Sequence, residues 1–318
     1  MKLLKPKFWD YSGISLWSIL LLPLSITYLF VIWIIRILSV LKKYEKKPYP
    51  IICVGNIYLG GTGKTPLAIE IFNIVTSLGN NPVFVKKYYD YLKDEIEMLK
   101  ETGSIFATSA REDGIAQSIK YNHDVIILDD GFQDFTIRPN FSILCFNSKQ
   151  LIGNGFVIPS GPLREPLSAV FRADCIFING EKNKKTLEFE EKILRNIRKK
   201  KLHLFYSKYK IKNIEKFKNK EITAFAGIGN PSNFFDLLKE NSLNVKKVHH
   251  FPDHYNYSDK DFEDIFKKNY NYDNTKIVTT KKDYFRLTKK QKLMCNYIDI
   301  DLEIYKKNDF INFIKSKI

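Results

Sequence analysis

Residues 50–75 read PIICVGNIYLGGTGKTPLAIEIFNIV, and this stretch decides the fold. Its opening residues form a short apolar run that predicts a buried β-strand, and its end has the apolar spacing of an α-helix. Between them lie three glycines, which permit backbone conformations that aim N–H groups at phosphate oxygens beside the positive end of a helix. A strand, a glycine-rich loop ending in GKT and a helix together predict a nucleotide phosphate-binding loop.

The residue types of this loop suit a nucleoside triphosphate and its metal ion. The Lys64 side chain would reach the β- and γ-phosphates, and the Thr65 hydroxyl would ligate Mg²⁺. The first glycine of the usual pattern is replaced by Tyr58. We therefore expect ATP with Mg²⁺ as the bound nucleotide, and the predicted nucleotide-binding residues are Gly60, Gly61, Thr62, Gly63, Lys64 and Thr65.

Residues 122–134, NHDVIILDDGFQD, supply the second half of this predicted site. The unbroken apolar run 125–128 indicates a strand buried on both faces of a parallel sheet. Asp129 and Asp130 close the strand at the edge where open α/β sheets place ligands, and carboxylates suit Mg²⁺. Two acids in this position match the metal-side segment of phosphate-loop enzymes.

Other phosphate-loop classes fit the sequence less well. A GTPase needs a D-x-x-G switch, which the D-D-G at 129–131 does not provide. The TKKD at 280–283 resembles a guanine-specificity motif but lies far beyond the loop, so we interpret it as a chance match. Membrane-partitioning ATPases carry a lysine where this loop has Leu59, which weakens that class without removing it.

The N-terminal region predicts membrane association. Residues 11–35 contain no charged side chain, and as a helix they would extend about 37 Å against a hydrocarbon core of about 30 Å. Pro23 would kink this helix or split it in two. The heavier positive flank lies downstream, which favours a cytoplasmic body. A half-inserted hairpin and a buried helix of a soluble protein remain alternatives.

The composition excludes several other classes. The chain has 318 residues, a formal net charge of +16 and four cysteines. The cysteines are scattered and lack metal-ligand spacing, which argues against a disulfide scaffold and against a zinc site. Eight of the 51 basic residues are arginines, and no nucleic-acid reader motif accompanies the charge. We expect no nucleic-acid partner and no obligate protein partner.

Five segments, taken in order, resemble the tetraacyldisaccharide 4'-kinase (lipid A 4'-kinase) family. They are VGNIYLGGTGKTP, LDDGFQ, GPLREP at 161–166, AFAGIGNPSNFF at 224–235 and HFPDHYNYS at 250–258. The resemblance implies transfer of the γ-phosphoryl group of ATP to the 4'-hydroxyl of a tetraacylated glucosamine disaccharide 1-phosphate. It also implies two Rossmann-like α/β domains with the active site in the cleft between them, at the cytoplasmic face of the bacterial inner membrane.

The same resemblance implies roles for individual residues. Asp94 matches the family's catalytic aspartate, and His254 matches the histidine paired with it. Arg164 would line the active site beside Lys64. Asp253 is a secondary candidate. The implied catalytic residues are therefore Asp94, His254, Lys64 and Arg164, and the implied metal-side residues are Thr65, Asp129, Asp130, Glu95 and Glu165.

The chain departs from the family pattern in three places. Asp134 stands where the family usually has histidine, and Ile96 replaces the proline after D-E. The segment 83–95, VFVKKYYDYLKDE, lacks the family's S-R-G-Y-G turn and shortens the connection to Asp94. These departures make reduced activity an open alternative.

The pattern predicts an α/β protein in three parts. Residues 1–44 form a membrane-associated segment with a helix, 45–205 a kinase domain with the phosphate loop on a parallel sheet, and 206–318 a linker and a smaller Rossmann-like α/β domain. The acceptor is a lipid disaccharide 1-phosphate, met at the lipid surface of the inner membrane. The competing hypotheses are a membrane-anchored ATPase that acts as a partitioning or binding switch, and a soluble small-molecule kinase.

Overall fold

The structure, a computed structural model, describes residues 5–11, 13–41, 48–196, 202–267 and 275–318. In these ranges the strands are β1 (Ile51–Gly55), β2 (Pro82–Lys87), β3 (Ile105–Thr108), β4 (Val125–Asp129), β5 (Phe141–Asn147), β6 (Cys175–Asn179), β7 (His203–Ile211), β8 (Glu221–Ala226), β9 (Asn244–His250), β10 (Thr275–Thr280), β11 (Asn296–Ile298) and β12 (Ile300–Ile304). The helices are α1 (Leu16–Leu20), α2 (Leu22–Leu41), α3 (Lys64–Ser77), α4 (Lys93–Lys100), α5 (Arg111–Lys120), α6 (Lys184–Asn196), α7 (Pro231–Glu240), α8 (Asp259–Lys267), α9 (Lys281–Arg286), α10 (Lys289–Met294) and α11 (Lys307–Lys315).

The described residues form two compact units, which do not follow contiguous ranges of the chain. The large unit comprises Lys5–Tyr88, Thr102–Lys208 and Leu302–Ile318. The small unit comprises Tyr89–Glu101 and Tyr209–Asp301. The segment that carries Asp94 therefore belongs to the small unit, and the C-terminal helix α11 belongs to the large one.

The large unit is built on an eight-stranded sheet with the order β12-β7-β6-β5-β1-β4-β2-β3. All neighbours from β7 to β3 pair in parallel. Strands β1 and β4 are buried along their whole length, which explains their unbroken apolar sequences. Because β1 lies between β4 and β5, the carboxyl end of β1 is a point where the strand order reverses, and such points bind ligands in open α/β sheets.

The small unit has its own parallel sheet, with the order β11-β10-β8-β9. Helix α7 begins with Pro231 at its first positions, where the missing N–H costs nothing. Its apolar side, with Phe234, Phe235 and Leu238, joins a core formed with strands β8 and β10. The prediction of an α/β protein with parallel sheets is confirmed.

The apolar N-terminal segment forms two helices. Helix α1 ends before Leu21, and Pro23 lies in the first turn of α2, so the proline divides the run as expected. Residues Leu22–Ser39 are long and apolar enough to cross a membrane, and 6% of this stretch is buried. One side of α2 contacts the rest of the large unit, to which this helix belongs. Ser25 donates to the Val157 carbonyl at 3.0 Å, and the Tyr28 hydroxyl donates to the Arg164 carbonyl at 2.8 Å.

Candidate active site

The glycine-rich loop joins the carboxyl end of β1 to helix α3. Gly60, Gly61 and Gly63 have φ values of 81°, 61° and 85°, in the left-handed region that glycine adopts at little cost. Gly63 is the N-cap of α3 and has no side chain with which to cap it. The backbone N–H groups of the first turn of α3 and its positive dipole end are therefore arranged to bind an anion.

Two buried asparagines, which the sequence analysis missed, hold this loop in place. Asn56 donates to the Thr62 hydroxyl at 2.9 Å and also to the Tyr58 carbonyl. Asn179, at the end of β6, donates to the Thr62 carbonyl at 2.5 Å. Thr62 is 2% exposed, so the loop itself uses its side chain, and a contact with nucleotide would come from its backbone. The available signal was an asparagine at the carboxyl end of a buried apolar run: Asn56 directly follows β1, and Asn179 is the last residue of β6.

Asp129 and Asp130, the two acids at the carboxyl end of β4, lie beside the first residues of α3. The Thr65 hydroxyl donates to Asp129 Oδ2 at 3.1 Å, and Lys64 Nζ lies 3.7 Å from Asp130 Oδ1. Asp129 is fully buried, and its Oδ1 has no hydrogen-bond partner among the described residues. A buried carboxylate oxygen without a partner is costly in a folded protein unless a water or an ion satisfies it. The sequence thus predicted the contact between the loop and the acids.

A buried lysine on β2 completes this group. Lys86 Nζ lies 2.6 Å from Asp129 Oδ2, and the two side chains are 2% and 0% exposed. Strand β2 pairs with β4, which brings the end of one strand beside the end of the other. The sequence analysis did not single out Lys86, although a lysine in a strand that is otherwise buried needs a charged partner.

Arg164 binds the second acid of the pair. Its Nη1 donates to Asp130 Oδ1 and Oδ2 at 2.9 and 3.2 Å and lies 3.3 Å from the Gln133 side-chain oxygen. Asp130 has a φ of 59°, a left-handed conformation that is strained for most residues and typical of functional sites. The structure therefore brings Lys64, Arg164 and Asp130 together, as the sequence predicted.

Glu165 lies next to this group but is already engaged. It is fully buried, and Arg172 donates to both of its oxygens at 2.6 and 3.0 Å. Gln133 donates to Oε1 at 3.1 Å and to the Asn56 carbonyl at 2.9 Å. Gln133 and Glu165 thus connect the loop, the acids and the GPLREP segment through hydrogen bonds.

Asp134, where the family usually has histidine, has a compensating partner. Arg111 Nη1 donates to Asp134 Oδ2 at 2.9 Å, and its Nη2 donates to the Asp130 carbonyl at 2.7 Å. Burial raises the pKa of Asp134, but hydrogen bonds from Thr136 and Arg111 and the charge of Arg111 outweigh burial and lower it. The acid is therefore an ion-paired anion, and the arginine links it to the backbone of Asp130.

The small unit holds a separate charged cluster, built on α4 and α9. Arg286 donates through Nε to Asp94 Oδ2 at 2.8 Å and makes a second, shorter contact through Nη2. His254 Nδ1 lies 3.5 Å from the same oxygen. The expected pairing of Asp94 with His254 is thus present, but the arginine is the closer partner. Asp94 is 3% exposed, and its Oδ1 has no hydrogen-bond partner in the part of the chain that is described.

Lys282 connects the remaining members of this cluster. Its Nζ lies 2.8 Å from Glu95 Oε1, 3.6 Å from Asp253 Oδ1 and 4.0 Å from Asp94 Oδ2. It also lies 3.3 Å from His254 Nε2. Lys282 belongs to the TKKD segment that we interpreted as a chance match, and Arg286 follows four residues later. The motif was the signal that could have identified both residues.

The environment keeps these groups charged. Burial raises the pKa of Asp94, but the contact with His254 and the charges of Lys282 and Arg286 outweigh burial, so the pKa lies below its ordinary value. Burial lowers the pKa of Lys282, but the carboxylates of Glu95, Asp253 and Asp94 raise it overall. Asp94 is therefore an anion and Lys282 a cation near neutral pH.

His254 is held in an unusual backbone conformation. Its φ is 54°, in the left-handed region that residues other than glycine adopt uncommonly, although histidine does so more often than most. Its N–H donates to the Gly227 carbonyl at 3.0 Å and to Asp253 Oδ1 at 3.0 Å. Tyr91 packs its ring edge-on against the imidazole, with 5.5 Å between centroids. Strain of this kind persists where the surrounding contacts determine it, and it is frequent at active sites.

The structure describes no group of three or more histidine, cysteine, aspartate or glutamate side chains that could hold a metal ion among residues 5–11, 13–41, 48–196, 202–267 and 275–318. Beside the glycine loop, the possible oxygen donors are one hydroxyl, from Thr65, and two carboxylates, from Asp129 and Asp130. Mg²⁺ commonly keeps several waters and binds through one or two carboxylates together with substrate phosphates. Thr65, Asp129 and Asp130 therefore fit Mg²⁺ bound with a nucleotide.

Comparison with known proteins agrees with the resemblance noted in the sequence. A model of the family described as tetraacyldisaccharide-1-P 4'-kinase matches residues 17–318. The chain is 38% identical over 313 residues to a tetraacyldisaccharide 4'-kinase of Pelagibacter ubique, covering 98% of this chain and 97% of that one. It is 33% identical over 335 residues to the enzyme of the same name from Rickettsia canadensis, covering 100% and 97%.

The fold is also found in a solved structure. LpxK from Aquifex aeolicus, crystallised in complex with ATP, matches with a TM-score of 0.71 and 23% identity, covering 94% of this chain and 98% of that one. The resemblance inferred from the five sequence segments is confirmed. By its match to the family model over nearly the whole chain, and by its likeness to relatives of the same name, the protein belongs to the tetraacyldisaccharide-1-P 4'-kinase family.

Proposed function

We propose that this protein transfers the γ-phosphoryl group of ATP to the 4'-hydroxyl of a tetraacylated glucosamine disaccharide 1-phosphate. The observation that carries the proposal is family membership over residues 17–318, together with an intact glycine loop whose lysine, threonine and facing acids are in contact. The finer description of the fold, a phosphate-loop domain and a smaller Rossmann-like domain, is part of this proposal.

The glycine loop and its neighbours bind the triphosphate. Backbone N–H groups would surround the phosphates. They belong to Gly60–Gly63, including Gly61 and Thr62, and to the first turn of α3. Lys64 and Arg164 carry the positive charge that stabilises the transferred phosphoryl group. Both already contact Asp130, so the acid positions the two cations before nucleotide binds.

Mg²⁺ would be held by Thr65, Asp129 and Asp130 and would neutralise charge on the phosphate oxygens as the bond to the leaving group breaks. We propose different roles for the two glutamates that the family resemblance placed on the metal side. Both oxygens of Glu165 accept from Arg172, and Glu95 is paired with Lys282. These two residues therefore act as ion-pair partners that orient arginine and lysine.

Asp94 is the proposed base. The acceptor hydroxyl must lose its proton as its oxygen bonds to phosphorus, and a positioned carboxylate that accepts it contributes roughly 10²- to 10⁴-fold. Lys282 Nζ lies 3.3 Å from His254 Nε2, and His254 Nδ1 lies 3.5 Å from Asp94 Oδ2. His254 and Arg286 thereby orient the carboxylate through Oδ2, which leaves Oδ1 to accept the proton.

The apolar character of the N-terminal helices supports a membrane location for this reaction. Helix α2 is apolar and almost entirely exposed, and five basic residues follow residue 35 within the next twelve. Positive residues favour the cytoplasmic side. We therefore propose that the protein is associated with the cytoplasmic face of the inner membrane and meets its lipid acceptor there, without a nucleic-acid or obligate protein partner.

Phosphate transfer from γ-labelled ATP to a tetraacyldisaccharide 1-phosphate in detergent micelles tests the proposal. The no-lipid control should show no comparable ATP consumption, because a kinase needs its acceptor. ATP hydrolysis without labelled lipid would support the membrane-anchored ATPase switch. Bound ATP with no turnover in either case would contradict the proposed acceptor.

A further inference from the structure

Helix α2 carries a polar strip on the side that packs against the rest of the large unit. Ser25 and Tyr28 lie three residues apart, so their side chains share this side of the helix, and Leu29 beside them packs against the core of the large unit. Ser25 is 2% exposed, whereas most other side chains of α2 that the structure describes are exposed. A helix that served only as a lipid anchor would not need buried hydroxyl groups, because each of them must find a partner.

The two hydroxyl groups of this strip bond to one segment of the chain, residues 157–164. Ser25 Oγ donates to the carbonyl of Val157, at the beginning of the segment, at 3.0 Å. Tyr28 Oη donates to the carbonyl of Arg164, at its end, at 2.8 Å. Helix α2 therefore holds both ends of the segment that carries Arg164.

The same segment is bonded to the start of the glycine loop. The Arg164 N–H donates to the Ile57 carbonyl at 2.7 Å, and the Leu59 N–H donates to the Pro162 carbonyl at 2.9 Å. Both backbone polar groups of Arg164 are thus engaged, the N–H with the loop and the carbonyl with Tyr28. The segment therefore connects helix α2 to the glycine loop through backbone hydrogen bonds.

The backbone position of Arg164 determines where its guanidinium lies. Arg164 Nη1 donates to Asp130 Oδ1 at 2.9 Å, and Lys64 Nζ lies 3.7 Å from the same oxygen. A shift of the Arg164 backbone would move the guanidinium relative to Lys64. Misplacement of a reacting or stabilising group by about 1 Å can lower a rate about 100-fold, so a bond that fixes this backbone affects turnover.

We propose that Tyr28 is a positioning residue for phosphoryl transfer, which holds the backbone of Arg164 from the apolar helix and so sets where the guanidinium meets the triphosphate. The inference rests on the proposed function, in which Arg164 stabilises the transferred group. Helix α2 then has two sides with separate roles. Its exposed apolar side meets lipid, and its polar strip fixes part of the nucleotide site.

The first test compares Tyr28→Phe with Tyr11→Phe. Both variants lose one hydroxyl from the N-terminal region, and Tyr11 is 55% exposed, which makes it the matched control. In Tyr28→Phe we expect kcat to fall about two- to tenfold, the effect of one net hydrogen bond. The Kd for ATP should stay within about twofold, because the loop backbone and Lys64 still bind the phosphates. Tyr11→Phe should change neither value.

A double-mutant cycle decides whether Tyr28 acts through Arg164. In the Arg164→Gln background, Tyr28→Phe should not lower kcat further, because the guanidinium that it positions is gone. Additive losses would overturn the proposal, and so would a kcat of Tyr28→Phe equal to that of Tyr11→Phe. Flotation with vesicles of phosphatidylglycerol and phosphatidylcholine should be the same for Tyr28→Phe and the wild type, whereas weaker flotation would assign Tyr28 to anchoring instead.

Hydrogen exchange tests the positioning without turnover. The N–H groups of Arg164 and Leu59 are the donors between the segment and the loop, and Tyr28→Phe should speed their exchange about two- to tenfold. Tyr11→Phe should not, and strand β1 should exchange as in the wild type in both variants. Unchanged exchange at Arg164 in Tyr28→Phe would overturn the proposal. If the wild type transfers no phosphate, the proposed function fails, and the exchange rates still decide whether Tyr28 holds Arg164.

Discussion

The ion pair of Lys86 with Asp129 gives the sharpest prediction for stability. We expect Lys86→Met to destabilise the large unit, because methionine fills much of the volume of lysine but leaves the Asp129 carboxylate buried without a cation. The side chains of Lys86 and Asp129 are 2% and 0% exposed, and Lys86 Nζ lies 2.6 Å from Asp129 Oδ2. Removing one partner of a buried pair typically costs about 3–5 kcal/mol.

This magnitude should appear as a fall in melting temperature of roughly 10 °C, since each kcal/mol shifts Tm by about 2–4 °C at this size.

Thermal and urea unfolding of the wild type, Lys86→Met and Lys86→Met/Asp129→Asn measure these effects. The double variant should recover most of the lost stability, because a neutral pair in place of a charged one leaves no uncompensated charge. Lys87→Met, one residue along the same strand and less buried, is the matched control and should change stability by less than about 1 kcal/mol. If Lys86→Met is as stable as the wild type, or if the double variant is no more stable than the single one, Lys86 does not neutralise a buried charge on Asp129.

Three further predictions concern the charged groups of the site. Asp94→Asn should lower kcat by about 100-fold or more and leave the Kd for ATP unchanged by calorimetry; near-native turnover would remove Asp94 as the base. Burial raises the pKa of Asp94, whereas His254, Lys282 and Arg286 lower it. Arg286→Gln should therefore raise this pKa and move the acidic limb of the kcat–pH profile to higher pH. An unmoved limb would show that Arg286 does not act on the catalytic base. Arg111→Gln should lower the free energy of unfolding in urea by about 1–3 kcal/mol, because it leaves Asp134 without its cation. Adding Asp134→Asn should restore part of the lost free energy. Equal stability of Arg111→Gln and the wild type would show that the pair is dispensable.

The sequence predicted those parts of the site that depend on neighbours in the chain. The glycine loop, Lys64 and Thr65 follow one strand, and Asp129 and Asp130 follow another, so the topology of a parallel sheet brings their ends together. The contact between Thr65 and Asp129 could therefore be predicted from pattern alone. Arg164 was predicted from the family motif to line the active site, and the structure shows that it donates to Asp130.

The missed residues depend on tertiary packing. Arg286 contacts Asp94 across 192 residues of sequence, and no periodicity reports such a contact. Lys86 looks like a strand-end lysine until its partner on β4 is known. The left-handed φ of His254 is also invisible in the sequence, because only a small fraction of non-glycine residues adopt that conformation and no local pattern marks this one. The division into units was difficult for the same reason, since Tyr89–Glu101 and Leu302–Ile318 each belong to a unit that is distant in sequence.

The position of the new phosphate on the product shows whether the protein is a 4'-kinase. The wild type should convert a tetraacyldisaccharide 1-phosphate and γ-labelled ATP into a bisphosphate that carries label only at the 4'-oxygen, as identified by ³¹P NMR and mass spectrometry. An acceptor in which hydrogen replaces the 4'-hydroxyl should remain unlabelled. Label on this deoxy acceptor, or ATP consumption that is the same with and without lipid, would contradict the account of the protein as a 4'-kinase.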